Sequence, residues 1–219
     1  AVVQKTRVHL QSAGLCGRVS AAVFDGKRLP YADGIVNLFI ARGEGYESCR
    51  AEVERVLAPG GVALVEDHEL AARAPSGLKG CARIVKPWPE DIDQWTHYLY
   101  DASGNAVARD TVVGPPRRLQ WIGGRRWSRH HDKMSSVSAC VSGGGKVFYI
   151  FDEGSTYSPY LPCRWKLIAR DAFNGVVLWK QPIDKWTGNL YGLKLGPATL
   201  PRRLIVAGNR VCATLGIEA

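Results

Sequence analysis

Hydrophobic and polar positions follow one rhythm up to residue 86 and another beyond it. Val2 to Leu15 is a run of helix-permitting residues with Gly14 placed as a terminator, and it predicts a helix. Val19 to Phe24 and Gly34 to Ile40 are short and apolar on both faces, which predicts two buried strands. Apolar residues at 46, 49, 53, 56 and 57 keep helical spacing until Pro59-Gly60-Gly61 interrupts it, and Val62 to Val65 reads as a further strand. Strands buried on both faces and alternating with helices predict a largely parallel sheet covered on each side, an α/β layer.

After residue 87 the pattern becomes strand, turn, strand. Val137 to Val141, Lys146 to Phe151, Trp165 to Ala169 and Val176 to Trp179 read as strands between turn clusters, and Lys146 to Gln181 is expected to make a four-stranded blade. Arg117 to Trp121, Arg203 to Ala207 and Val211 to Leu215 read as more of the same. The clearest hairpin is Asp171-Ala-Phe-Asn-Gly-Val-Val-Leu-Trp179, where Asn174-Gly175 would supply the two positive-φ positions of a type I′ turn. A repeat of about 35 to 40 residues per sheet suits the propeller class of all-β folds.

Composition sharpens the boundary. All seven tryptophans lie beyond residue 87, so the domains are set at 1–86, a linker or docking segment at 87–116, and an all-β part at 117–219. The 46% hydrophobic content suits a packed core, which excludes a disordered chain. The formal charge of +9 arises from 12 basic and 9 acidic residues up to residue 86, and 17 basic and 11 acidic beyond it. Arg117, Arg118, Arg125, Arg126 and Arg129 interleave with Trp121 and Trp127, a pattern that can stack bases and bind phosphates. Solvated strand faces over buried indoles account for the same pattern, and nucleic acid is not the favoured partner. The six cysteines form no CxxC pair and no metal-ligand spacing, so no metal site is expected. No stretch approaches the roughly 18 apolar residues of a membrane span. The chain starts at Ala1 and stops within a strand pattern, so it reads as a piece of a longer protein.

Two resemblances follow from particular residues. Phe24-Asp-Gly-Lys-Arg-Leu-Pro-Tyr-Ala-Asp33, Ile35 to Phe39 and Glu54-Arg-Val-Leu-Ala-Pro-Gly-Gly61 resemble, in that order, the second half of class I S-adenosylmethionine-dependent methyltransferases. Asp171 to Trp179 is similar to the signature of pyrroloquinoline-quinone-type β-propeller repeats. Together they imply a Rossmann-like α/β half domain followed by an incomplete β-propeller. By the first resemblance, Asp25 would accept from the adenine amino group of S-adenosylmethionine, Gly26 would face the ring and Leu29 would lie beside it. A carboxylate at a strand's carboxyl end suits that crevice, while an aspartate that merely caps its own turn is the alternative. The glycine-rich loop of the family has no counterpart after Ala1, so the chain alone is expected not to transfer methyl groups. No two cysteines adjoin, so the second resemblance does not extend to the vicinal disulfide that accompanies pyrroloquinoline quinone.

Candidate chemistry is sparse. His68 follows Glu66-Asp67 at a strand end, and His131 with Asp132 could form a base and its orienting carboxylate. Adjacent strand residues point to opposite faces, so at most one of His130 and His131 serves a site. Glu90, Asp91 and Asp93 beside His97 could hold a hard cation or cap a short helix. The functional expectation is a propeller that binds a small molecule or protein beside a methyltransferase-like domain. The alternatives are an active methyltransferase in a longer chain, a quinoprotein oxidoreductase and a basic nucleic-acid-binding module. A periplasmic or envelope location would suit the propeller part, and cytoplasm the methyltransferase part.

Overall fold

The structure is a computed structural model that describes residues 1–43, 45–67, 72, 78–115, 119–124, 136–158, 161–184, 186 and 199–215. The chain divides into two compact units, Ala1–Lys86 and Pro87–Ala219.

In the first unit, β1 (Val36–Ala41), β2 (Leu57–Glu66) and β3 (Cys81–Val85) form a sheet in the order β1-β2-β3. β1 and β2 run parallel, whereas β2 and β3 run antiparallel. Helix α2 (Tyr46–Val56) follows from the helical spacing of its apolar positions. It buries Tyr46 and Val53 with Leu57, Ala63 and Val65, and Phe39, Ala41 and Ile84 pack against that cluster. The α2 carboxyl end leaves carbonyls without helical partners, and Lys86 Nζ donates to those of Glu54 and Leu57. The opposite face of the sheet is open: Leu38 is 53% exposed, Ile40 61% and Val85 41%.

This overturns the expected Rossmann-like half domain. Strand outweighs helix, 34% against 15%, and the described elements include two α-helices and one short 3-10 turn at Pro201–Arg203. Helix α1 (Val2–Ser12) buries none of its residues, so it covers no sheet face. Val19 to Phe24 pairs with no strand beyond a single bridge at Cys16 and Val19, and most of it is exposed. An apolar run becomes a strand only where a neighbour completes its hydrogen bonds, and this run has no partner strand among the described residues.

In the second unit, β4 (Val137–Gly143), β5 (Lys146–Asp152), β6 (Trp165–Asp171) and β7 (Val177–Pro182) form an antiparallel sheet in sequence order. β8 (Leu204–Ala207) and β9 (Arg210–Ala213) form a separate hairpin. Period-2 alternation sorts the β4 to β6 side chains onto two faces. Ala139, Val141, Phe148, Ile150, Trp165, Leu167 and Ala169 point into a core shared with Ile183, Trp186, Leu200, Leu204 and Val206. Trp186 Nε1 donates to Ser138 Oγ at 2.8 Å, which satisfies the one polar atom of a buried indole.

The segment after Pro87 is stitched onto this core. Ser142 N–H donates to the Trp95 carbonyl, Trp95 N–H to Ser142 Oγ, and Val206 N–H to the Thr96 carbonyl. The expected incomplete propeller is also corrected: the described strands make one four-stranded sheet and one hairpin, with no ring closure. A propeller needs the same sheet repeated around an axis.

The Asp171 turn is tighter to its aspartate and longer than a two-residue hairpin. Of Asn174 and Gly175 only Gly175 takes positive φ, so the turn is not type I′. Asp171 Oδ1 accepts from the Phe173 and Asn174 N–H groups, and the Gly175 N–H closes back on the Asp171 carbonyl. The register shifts between Ala169 and Arg170 to accommodate the extra residues.

Candidate functional site

The open face of the four-stranded sheet carries the most chemically distinctive group in the described structure. Arg170 lies on β6 at 9% exposure. Its Nε donates to Tyr149 Oη at 2.7 Å and its Nη1 to the Gly175 carbonyl at 2.5 Å. The guanidinium carbon lies 6.0 Å from the Trp121 ring centroid and 5.9 Å from that of Tyr149, within reach of cation–π attraction.

Trp121 is fixed from two sides. Its Nε1 donates to the Ala172 carbonyl at 3.0 Å, and its ring lies flat against Gly175. A Cβ at residue 175 would stand 2.4 Å from the ring, and the backbone there has φ +72°, so only glycine fits both demands. Around Arg170 the two rings, Phe151, Val147 and Cys140 line a cavity of about 210 Å³. Cys140 is open to solvent on one side, yet desolvation by the packed sheet pushes its thiol pKa up, so it faces the cavity as a neutral thiol.

A second cavity, about 310 Å³, lies between the β4–β5 turn, Trp179 and the β8–β9 turn. Lys146 and Arg210 border it, with Phe148 and Trp179 as its aromatic wall. The two rings are 6.0 Å apart. Lys146 Nζ is held by the Gly144 carbonyl at 3.1 Å.

The residues singled out from sequence fall as follows. Asp25 is exposed and its Oδ1 accepts from the Lys27 N–H at 2.9 Å, so it caps its own turn beside Gly26. It stands in a segment that joins no sheet, and therefore not at a strand's carboxyl end. Leu29 is half-buried, and its backbone is gripped by an ionic pair on α2: its N–H donates to Glu52 Oε2 and its carbonyl accepts from Arg55 Nη2. Arg55 also binds Asp33 at 2.6 Å and the Tyr31 carbonyl. The Arg55 hydrogen bonds, aided by the Leu29 N–H, hold the Glu52 pKa down at about 2. This clamp was not apparent from sequence, although Glu52 and Arg55 stand at the (i, i+3) spacing that brings helix side chains together.

His68, His131 and Asp132 lie outside the described residues, as do Arg117, Arg118, Arg125, Arg126 and Arg129. Glu90, Asp91, Asp93 and His97 do not assemble into a cation site, and no group of metal-ligating side chains occurs among the described residues. Asp93 is instead committed to protein donors. It accepts from Tyr100 Oη and the Arg109 N–H on one oxygen and from the Gln94 N–H on the other. The Tyr100 hydrogen bond leads in lowering its pKa.

Arg170 escaped the sequence reading because nothing near it in sequence marks it. Its ring partners come from positions 121 and 149, and only Gly175 hinted at a close approach. Comparison with protein-family models finds no matching family, and comparison with curated proteins and with solved structures finds no match.

Proposed function

We propose that the chain works by recognition, and that its second unit holds a small planar ligand against the open face of the four-stranded sheet. The observation that carries this reading is the cavity walled by Trp121, Tyr149 and Phe151, with a volume of about 210 Å³. Ligand pockets combine apolar and aromatic walls with a few convergent polar groups, and this one has that composition. The neutral thiol of Cys140 favours binding over covalent chemistry, because the thiolate is the nucleophile. Binding of S-adenosylmethionine by the first unit rests on its sequence motifs.

The test is ligand-observed NMR on the full chain with a set of one- and two-ring aromatic fragments of every charge. Saturation transfer to several of them, abolished in a Cys140→Trp variant that fills the cavity, is the expected result. Undiminished transfer in that folded variant would place the binding elsewhere.

A second reading has its own observation. Every residue of the edge strand β7 is exposed, Val177, Leu178 and Trp179 among them. An edge of this kind accepts a strand from a protein partner, through main-chain hydrogen bonds along its free side.

A further inference from the structure

We infer that the ligand of the Arg170 cavity is a monoanionic aromatic carboxylate; this rests on the reading of that cavity as a binding site and adds the ligand's charge and class.

Arginine stays protonated in proteins, so its burial takes a full positive charge out of water. Buried charges are ordinarily matched by a counter-charge. Every partner of Arg170 among the described residues is neutral: the Tyr149 hydroxyl, the Gly175 carbonyl and two aromatic faces. No carboxylate pairs with it there. Its Nε and Nη1 are engaged, while Nη2 makes no hydrogen bond with any described residue. Of the five N–H donors of this largely buried cation, one on Nη1 and two on Nη2 are therefore left for whatever occupies the cavity that Arg170 lines.

The group is also held in place, which distinguishes a built site from a long side chain folded onto a surface. Tyr149 and Gly175 fix the guanidinium plane through two directed hydrogen bonds. The backbone at Gly123 approaches so closely that a Cβ there would lie 2.8 Å from the Arg170 Cζ. An arginine frozen in one orientation loses little entropy when it binds, and the geometry of its donors suits a carboxylate.

The walls select the rest of the ligand. Trp121, Tyr149 and Phe151 offer faces for a flat apolar body, and Val147 adds an aliphatic surface. One cation matches one negative charge, so a carboxylate fits better than a phosphate dianion, which would carry excess charge into an aromatic enclosure. The second cavity, with both Lys146 and Arg210 at its border, differs in this respect.

The experiment is calorimetric titration of the full chain with benzoate, benzamide and inorganic phosphate, repeated with Arg170→Gln. Benzoate is expected to bind roughly tenfold or more tightly than benzamide, as hydrogen bonds to a desolvated charge require. Phosphate is expected to bind more weakly than benzoate, and the Gln variant should bind both aromatics alike. Equal affinity of wild-type protein for benzoate and benzamide would overturn the charge inference while leaving the cavity a ligand site. Phosphate binding as tight as benzoate would overturn the carboxylate class. Binding of neither aromatic would remove the underlying reading as well. Should Arg170→Gln fail to fold, the wild-type ratio of benzoate to benzamide decides alone.

Discussion

Each unit contains a sheet with one packed face and one open face, and the two open faces differ in kind. On the first sheet Leu38, Ile40 and Val85 present aliphatic surface, and the register sets the exposed Arg83 and Glu66 on the same face. On the second, aromatic rings enclose a guanidinium that hydrogen bonds hold still. Aliphatic surface attracts by area alone, and charged side chains that stay in water at its rim do little to fix an orientation. The second face has a directional anchor, and one well-placed polar group among apolar walls is what gives a pocket specificity. Exposure of apolar residues is thus common to both, and only the anchored face reads as a site.

Substitutions that separate packed from open faces test this contrast, and the largest effect belongs to the packed side. Ile150→Ala removes a side chain fully buried in the second unit's core and should cost about 4 kcal/mol in denaturant unfolding. A loss below about 1 kcal/mol would mean that the two faces have been assigned the wrong way round.

Gly175→Ala comes next. It combines left-handed backbone with a clash against the Trp121 ring, and should cost about 3 kcal/mol. Near-UV circular dichroism should change with it, since the indole has to leave its seat beside Arg170. An unchanged spectrum in a folded variant would show that the ring does not depend on that glycine.

Acid provides a third handle, confined to the first unit. Arg55 lowers the Glu52 pKa from its ordinary 4.5 to about 2. The folded-state value lies below the unfolded one, so this pairing stabilises above about pH 4.5 and is lost as the pH falls towards 2. Glu52→Gln should flatten the fall of stability across that window, measured by urea unfolding at successive pH values. Equal slopes in both proteins would remove the clamp from the account of acid sensitivity.

The smallest effect is expected where the open aliphatic face is altered. Leu38→Ser with Ile40→Ser should change monomer stability by no more than about 0.5 kcal/mol per site. A much larger loss would show that this face is covered in solution, and the contrast between the two sheets would then narrow.

Local patterning carried the elements that neighbours complete. The spacing of Tyr46, Cys49, Val53 and Val56 predicted α2, and the apolar runs between turns predicted β4 to β7 as strands, although the four-stranded unit expected at Lys146 to Gln181 begins at Val137. Val19 to Phe24 misled because apolar composition says nothing about whether a partner strand lies alongside. Three motifs in a familiar order likewise implied a doubly wound layer that α1, with no buried residue, does not supply. The Asn174-Gly175 pair marked a turn correctly, yet Asp171 determines its length through hydrogen bonds that a dipeptide signal omits. The candidate site was the least legible of all, because Trp121, Tyr149 and Arg170 meet only once the sheet has formed.

That meeting has a kinetic side. The hydrogen bond from Trp121 to Ala172 spans 51 residues, and the one from Arg170 to Tyr149 spans 21. Loop-closure entropy must be offset before a contact as distant as Trp121 to Ala172 stabilises anything, so it follows the β5–β6 pairing, of which the Arg170–Tyr149 bond is part, and the β6–β7 turn on which it rests. The cavity is therefore a property of the finished fold and is absent from its precursors. A ligand that needs it acts only on molecules that have already folded, and it should slow their unfolding without hastening their refolding.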